Sequence, residues 1–262
     1  MYAASVVGPD STTLVERLAD RLADEGRVGT VTSEPPLDST ADRPGGAAVA
    51  YRIGSDGWAA AGEDRSIGDV LDDCARSCSY LLADGVEDRR LPVIAAGADR
   101  EDAVATVADA DRADLDALAE AVERVEPYES LGSLVAAVKR SPVAERSGAI
   151  ATFTGRVRAK DGEDDSRTEL LEFEKYEGVA EERMAAISRE LEDRDGVLGV
   201  RMHHRSGVIP DGEDIVFVVV LAGHREEAFR TVEDGINRLK DEVPIFKKEV
   251  TVEEEFWVHD RA

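Results

Sequence analysis

The hydrophobic positions of this 262-residue chain change period along its length, and the changes mark out its elements. Tyr2 to Val7 is a short apolar run bounded by Gly8-Pro9-Asp10-Ser11, which predicts a buried strand followed by a turn. From Thr12 or Thr13 onward Leu14, Leu18 and Leu22 recur every fourth residue, predicting a helix that Gly26 stops. Val28 to Thr32 reads as a second strand, completing a strand-helix-strand unit of the kind that offers an anion the N-terminus of a helix. YRIGSDGWAAAG predicts a hairpin with glycine turns, and LPVIAAG a buried strand. Acidic helical stretches are predicted near 69–84 and 112–124; in the first, Val70, Leu71, Cys74, Cys78, Leu81 and Leu82 share one apolar face. Pro127 interrupts the pattern ADLDALAEAVERV and predicts a junction near Glu126-Pro127, with domains 1–125 and 126–262.

Beyond the junction the pattern alternates between helix and strand. Leu131 to Val138 reads as an amphipathic helix, and Ala149 to Val157 as a strand, with Arg158 at its end. LLEFEKY predicts a strand, and GVAEERMAAISRELEDRDG a helix with Val179, Met184, Ile187 and Leu191 inward. VLGVRMHHRSG is a strand with a polar exit, and the unbroken run Ile215 to Leu221 predicts a strand buried on both faces. Gly223-His224-Arg225 then enters a helix with Ala228, Phe229, Val232, Ile236 and Leu239 toward a core and Lys240 in its last turn. Pro244 redirects the chain into the strand IFKKEVTV. Alternation there puts Lys248 with Phe246, Val250 and Val252, and Lys247 on the opposite face.

Charge changes what these elements can do. The formal net charge is −25, and of six lysines three, Lys240, Lys247 and Lys248, fall within nine residues. Abundant carboxylates with scarce lysine match a halophilic cytoplasm, where salt screens surface repulsion. The same field repels nucleic acid, and no stretch is long and apolar enough for a membrane span, so a cytoplasmic protein is expected. Cys74 and Cys78 are expected as core thiols, because no further cysteine and no nearby histidine completes a metal shell. Cations gathered on so acidic a chain predict an anion site. Lys240, Lys247 and Lys248 are the candidates, with the His224-Arg225 pair beside the amides of a helix N-terminus; alternation does not decide which of Lys247 and Lys248 adjoins Lys240, and Arg158 reads equally as a counterion for the carboxylates that follow it.

Two resemblances follow from quoted segments. VVGPDSTTLVERLADRL, followed by GRVGTVTSEPP and DRPG, resembles the P-loop GTPase-like domain of the molybdopterin-guanine dinucleotide accessory proteins. The match is degenerate: Ser11 leads directly to Thr12 and Thr13, and the lysine that reaches the β and γ phosphates is missing together with the glycine before it. This resemblance implies a small P-loop-like α/β domain that has lost GTP hydrolysis and serves packing or partner docking. Gly8, Asp10, Ser11, Thr12 and Thr13 are what remains for a phosphate, and binding of GTP with magnesium is not expected.

ATFTGRVR, HHRSG, PDGEDIVFVVVLAGHREEAF, NRLKDEVPIFKKE and the terminal FWV, in that order across 126–262, resemble the catalytic large subunit of molybdopterin synthase. The resemblance implies an α+β domain described as an α/β hammerhead with an added subdomain. It places Lys240 and Lys247 at catalytic positions and Arg158, His204, Arg205, His224 and Arg225 at substrate-binding ones, and leaves Lys248 a flanking charge. The implied reaction inserts two sulfurs into cyclic pyranopterin monophosphate. The sulfur arrives as the C-terminal thiocarboxylate of a small ubiquitin-like carrier ending in Gly-Gly, so no cofactor or metal is required. Large subunits of the family form a homodimer within a heterotetramer. A non-catalytic scaffold that docks the carrier is the other class the sequence allows.

Overall fold

The computed structural model describes residues 1–33, 46–160, 162–163, 165–176, 178–252 and 255–258. The segment DRPG at 42–45 and most of SEPP lie outside the described residues. The chain divides into two compact units, Met1–Glu129 and Ser130–Ala262, three residues beyond the proline that marks the junction in the sequence.

The first unit contains β1 (Tyr2–Val7), α1 (Ser11–Leu22), β2 (Val28–Thr32), β3 (Val49–Ile53), β4 (Trp58–Gly62), α2 (Ile67–Ala75), β5 (Tyr80–Asp84), β6 (Val93–Ala96), β7 (Ala103–Val107) and α3 (Leu115–Glu123). Five of the strands form a parallel sheet in the order β2-β5-β1-β6-β7, while β3 and β4 form a separate antiparallel hairpin. Ala4, Val6, Leu82 and Ile94 pack one face of the sheet on α1 and α3; Ala3, Leu81 and Ala83 pack the other with Leu71 of α2. Being covered on both sides, the central strands β1, β5 and β6 are buried at nearly every position rather than alternating, with Ser5 and Asp84 their buried polar residues.

That burial explains a correction. The helix expected over 69–84 ends at Ala75, and Tyr80–Asp84 is a strand with every residue buried. The run YLLA mimics one face of a helix because an apolar tetrapeptide fits either period. Cys78 therefore lies past the helix, although its N–H still donates to the Cys74 carbonyl at 2.7 Å. Both thiols are half-buried; Cys74 packs against the cluster of Leu71 and Leu81, whereas Cys78 lies outside the core clusters, and burial pushes the Cys74 thiol up.

The second unit contains α4 (Leu131–Lys139), β8 (Ala149–Arg156), β9 (Thr168–Lys175), α5 (Val179–Glu192), β10 (Val197–His204), β11 (Gly207–Pro210), β12 (Asp214–Ala222), α6 (Arg225–Glu242), β13 (Ile245–Thr251) and β14 (Glu255–Val258). Two antiparallel sheets result, β10-β12-β8 and β11-β9-β13-β14. Central β12 is buried along nearly its whole length. Val216, Val218 and Val220 meet α5 and α6 through Ile187, Leu191, Ile236 and Leu239, whereas Phe217, Val219 and Leu221 meet α4 through Leu134 and Val138. Leu171 and Phe173 of the second sheet join the α5–α6 core.

Two inward assignments fail here. Phe229 is 63% exposed and Val179 53%, and the inward positions beside them belong to Ala228 and Ala180. The space above Gly155 is filled from the neighbouring strand: a Cβ there would lie 2.6 Å from Val216 Cγ1. The sheet register shifts at this point, between Asp214 and Val216.

Candidate functional site

Strand register sorts the predicted cations into two groups. Because β12 is antiparallel to both β8 and β10, its first residues lie beside the ends of those strands: Asp214 opposite Arg156, and Val216 opposite His204. Arg158 follows just after β8, where the Val157 N–H donates to the Glu213 carbonyl at 2.9 Å. Arg205 follows β10, donating through Nη1 to the Asp214 carbonyl at 2.6 Å and through Nη2 to Glu213 Oε2 at 3.0 Å. Helix α6 starts after the opposite end of β12 and packs back along β12 and β8, which brings its last turn and Lys240 toward the Asp214 end.

His224 and Arg225 stand at the far end. From Arg225 to Lys240 the helix advances about 22 Å at its rise per residue, so one chain does not gather the two groups into one pocket. His224 is the N-cap of α6 in extended conformation and makes no side-chain cap hydrogen bond. Both residues are exposed.

Lys247 joins the first group through the second sheet. It pairs with buried Phe173 of β9, and opposed residues of an antiparallel pair share a face, so Lys247 points to the core side. The Phe173 ring meets His204 edge-on at 4.8 Å between centroids. Lys248 pairs with Glu172 on the outer face, its Nζ 3.9 Å from Glu172 Oε2, and Phe246 beside it is exposed. Strand alternation therefore divides the two lysines as the sequence pattern does.

The polar environment of these groups is unequal. His204 is only 7% exposed, with Nδ1 2.7 Å from the Arg205 carbonyl, a contact that favours the tautomer carrying the proton on Nδ1 when the ring is neutral. Arg205 is committed to Glu213 and to main chain. Near the end of α6, Arg238 donates to Glu242 and Glu190, each at 2.6 Å, and Arg183 also bonds Glu242, whose carboxyl this hydrogen bonding holds below its ordinary range. Exposed Lys240, two residues from both Arg238 and Glu242, makes no side-chain hydrogen bond or ion pair among the described residues. A lysine left unpaired amid so many carboxylates can receive an external anion without first breaking an ion pair.

One further cation sits at this end without having been singled out. Lys175, the last residue of β9, puts its Nζ 2.8 Å from Glu181 Oε1 and 3.4 Å from the His204 carbonyl. Strand alternation with Leu171 and Phe173 was the signal that would have placed it inward.

The loop of the first unit is built differently. Gly8 has φ +121°, and a Cβ would lie 2.1 Å from the Ala96 carbonyl oxygen, so only glycine fits. α1 begins at Ser11, earlier than the expected threonines. The Thr12 hydroxyl donates to Asp84 Oδ2 at 2.8 Å, and Asp84 is buried at the end of β5. Asp10 makes no side-chain cap bond to the helix, and Thr13 is exposed. Elsewhere, no group of three or more His, Cys, Asp or Glu among the described residues could hold a metal ion, and no helix among them is long and apolar enough to cross a membrane.

Comparison with known proteins bears on both units. A family model described as MoaE protein matches residues 126–242, a span that includes Lys240 and ends before Lys247. The probable molybdopterin synthase of Haloferax volcanii is 56% identical over 263 residues, covering all of both chains. The molybdopterin synthase catalytic subunit of Bacillus subtilis is 38% identical over 44% of this chain and 72% of its own. A crystal structure of molybdopterin synthase from Staphylococcus aureus aligns with 34% identity and a TM-score of 0.42, over 44% of this chain and 83% of that one. With a relative matched along its whole length and the MoaE model on its second unit, the chain belongs to the molybdopterin synthase catalytic-subunit family, sulfurtransferases of molybdenum cofactor biosynthesis.

Proposed function

We propose that this chain transfers sulfur from the C-terminal thiocarboxylate of a small ubiquitin-like carrier ending in Gly-Gly to cyclic pyranopterin monophosphate, forming the dithiolene. The observation that carries the reading is the Asp214 end of β12, where Arg158 and Arg205 emerge beside His204 and Lys247 faces Phe173, and toward which α6 directs its last turn; Lys240 in that turn is exposed without a carboxylate partner among the described residues. Substrate phosphate and thiocarboxylate are both anions, and on a chain of net charge −25 they need such a cationic site. Arg158 is suited to directional contact with phosphate. Lys240 stabilises charge as the thiocarboxylate attacks or activates the pterin, and Lys247, inward beside Phe173, acts with it. His204 and Arg205 shape the wall of the site.

The separation of His224 and Arg225 from Lys240 fits the homodimer that the family resemblance implies. In a two-fold pair, the α6 N-terminus of one copy can complete the Lys240 end of the other, which one chain cannot do for itself. The first unit is a P-loop-like domain without nucleotide chemistry. Its support is the missing lysine and the Thr12–Asp84 hydrogen bond, in which a hydroxyl and a carboxylate satisfy each other.

Purified chain, thiocarboxylated carrier and pyranopterin, combined in one reaction, test the proposal. Dithiolene product is expected. Carrier binding without product would establish a scaffold instead.

A further inference from the structure

Lysine is the scarcest cation in this protein, six in 262 residues, and one of the six is buried. Only 6% of the Lys175 side chain meets solvent. Taking an ammonium out of water costs free energy that its partners must offset, and an apolar side chain of similar length would fill the same space without that cost. The partners of Lys175 tie three elements together. Nζ bonds Glu181 of the first turn of α5 at 2.8 Å and the carbonyl of His204, the last residue of β10, at 3.4 Å, while the stem belongs to β9. Glu181 also accepts from the Gly178 N–H at 2.8 Å. Burial acts to raise its carboxyl, but the hydrogen bond from Lys175 and the backbone donors outweigh it and hold the group below its ordinary range.

The position matters as much as the partners. Lys175 faces Ile245 across the sheet, two residues from the Phe173–Lys247 pair, so Lys175 and Lys247 are diagonal neighbours on the core side. Phe173, between them, carries the ring contact to His204. We propose that Lys175 is a positioning residue of the sulfur-transfer site: it anchors the His204 main chain to β9, and with it the start of the segment that aims Arg205. The inference rests on the sulfur-transfer reading above. A residue of purely structural use would affect stability alone, whereas an anchor acting through the His204 main chain affects turnover and does so in common with the Arg205 side chain that it aims.

The test uses the full chain with thiocarboxylated carrier and pyranopterin, comparing wild type, Lys175→Met, Lys175→Arg, Arg205→Ala and the Lys175→Met/Arg205→Ala double variant. Lys175→Met is expected to lower kcat about 10-fold or more with KM for the carrier within about 2-fold. Lys175→Arg, which keeps charge and reach, is expected to recover most of the loss. The double variant is expected to lose no more than Arg205→Ala alone, because without that side chain nothing is left for the anchor to aim. A kcat for Lys175→Met within about 2-fold of wild type, or losses that multiply in the double variant, overturns the inference. If Lys175→Met does not fold, Glu181→Ala, which releases the ammonium from its carboxylate, is carried through the same cycle with Arg205→Ala, and multiplying losses there overturn it equally. A wild-type chain that forms no dithiolene overturns the sulfur-transfer reading itself, a different failure from a normal wild type beside a normal Lys175→Met.

Discussion

Each unit presents a helix terminus beside a sheet where an anion could be expected, and the two are built to opposite ends. In the first unit a glycine turn leads into α1, but the polar groups there bond each other: Thr12 donates to buried Asp84, and no lysine enters the loop. In the second unit Arg158, His204, Arg205 and Lys247 belong to the Asp214 end of β12 and its neighbouring sheet, and Lys240, in the helix turn directed toward that end, has no carboxylate partner among the described residues. Backbone shape alone does not make an anion site. On an acidic chain the deciding term is unspent positive charge, because an anion must overcome the surrounding field before it can use any N–H.

The sharpest way to break that comparison is to remove the unspent charge. Lys240→Ala is expected to lower kcat for dithiolene formation about 100-fold or more, the usual scale for a group that stabilises developing charge, with the melting temperature little changed because the side chain is exposed. Normal turnover by this variant would remove Lys240 from the chemistry. A second test asks whether the first unit is only a scaffold. Leu82 is fully buried in the middle of its sheet, and Leu82→Ala is expected to destabilise Met1–Glu129 by about 2–5 kcal/mol, read by calorimetry, while product per folded chain stays near wild type. A matching fall in turnover of the folded protein would give that unit a part in catalysis.

A smaller effect addresses the closed loop directly. Thr12→Ala removes the hydroxyl donated to Asp84 and leaves a buried carboxylate short of a partner, for an expected cost of about 1–3 kcal/mol in urea unfolding. GTP with magnesium at millimolar concentration is expected to leave the wild-type melting curve unmoved. A ligand-induced rise in melting temperature would mean that the loop has kept a phosphate site after all.

How much of this could be read from the chain depended on what each residue had to satisfy. β12 was legible because a strand buried on both faces is apolar throughout, and α6 because its period is regular from Ala228 to Leu239. β5 was not, since YLLA following the α2 pattern fits a helix face equally well until β1 and β2 flank it. Phe229 was misjudged because a 3.6-residue period cannot say which border of the apolar stripe is covered, and Ala228 takes the inner place. Lys247 was separated from Lys248 by alternation that the register with Phe173 and Glu172 repeats. That His224 and Arg225 stand far from Lys240 was implicit in the length of α6, though the motif order does not state it. Lys175 was passed over since its neighbours in sequence, Glu174 and Tyr176, are exposed and its partners come from α5 and β10.

The smallest expected effect concerns pH and the one buried lysine. Glu181 is held below its ordinary value of 4.5, so the folded state prefers its charged form and gains stability from it above that value. As pH falls from about 4.5 through the lowered value, the folded protein must give up that preference, and the gain disappears. Because nearly half of the Glu181 side chain is exposed, solvent screening limits the gain to about 0.2–1 kcal/mol. The stability difference between wild type and Glu181→Gln, measured by urea unfolding, is therefore expected to be flat from pH 7 to about 5 and to shrink below 4.5. A Glu181→Gln difference that does not change with pH would mean that the Glu181 carboxylate is not what holds Lys175 in place.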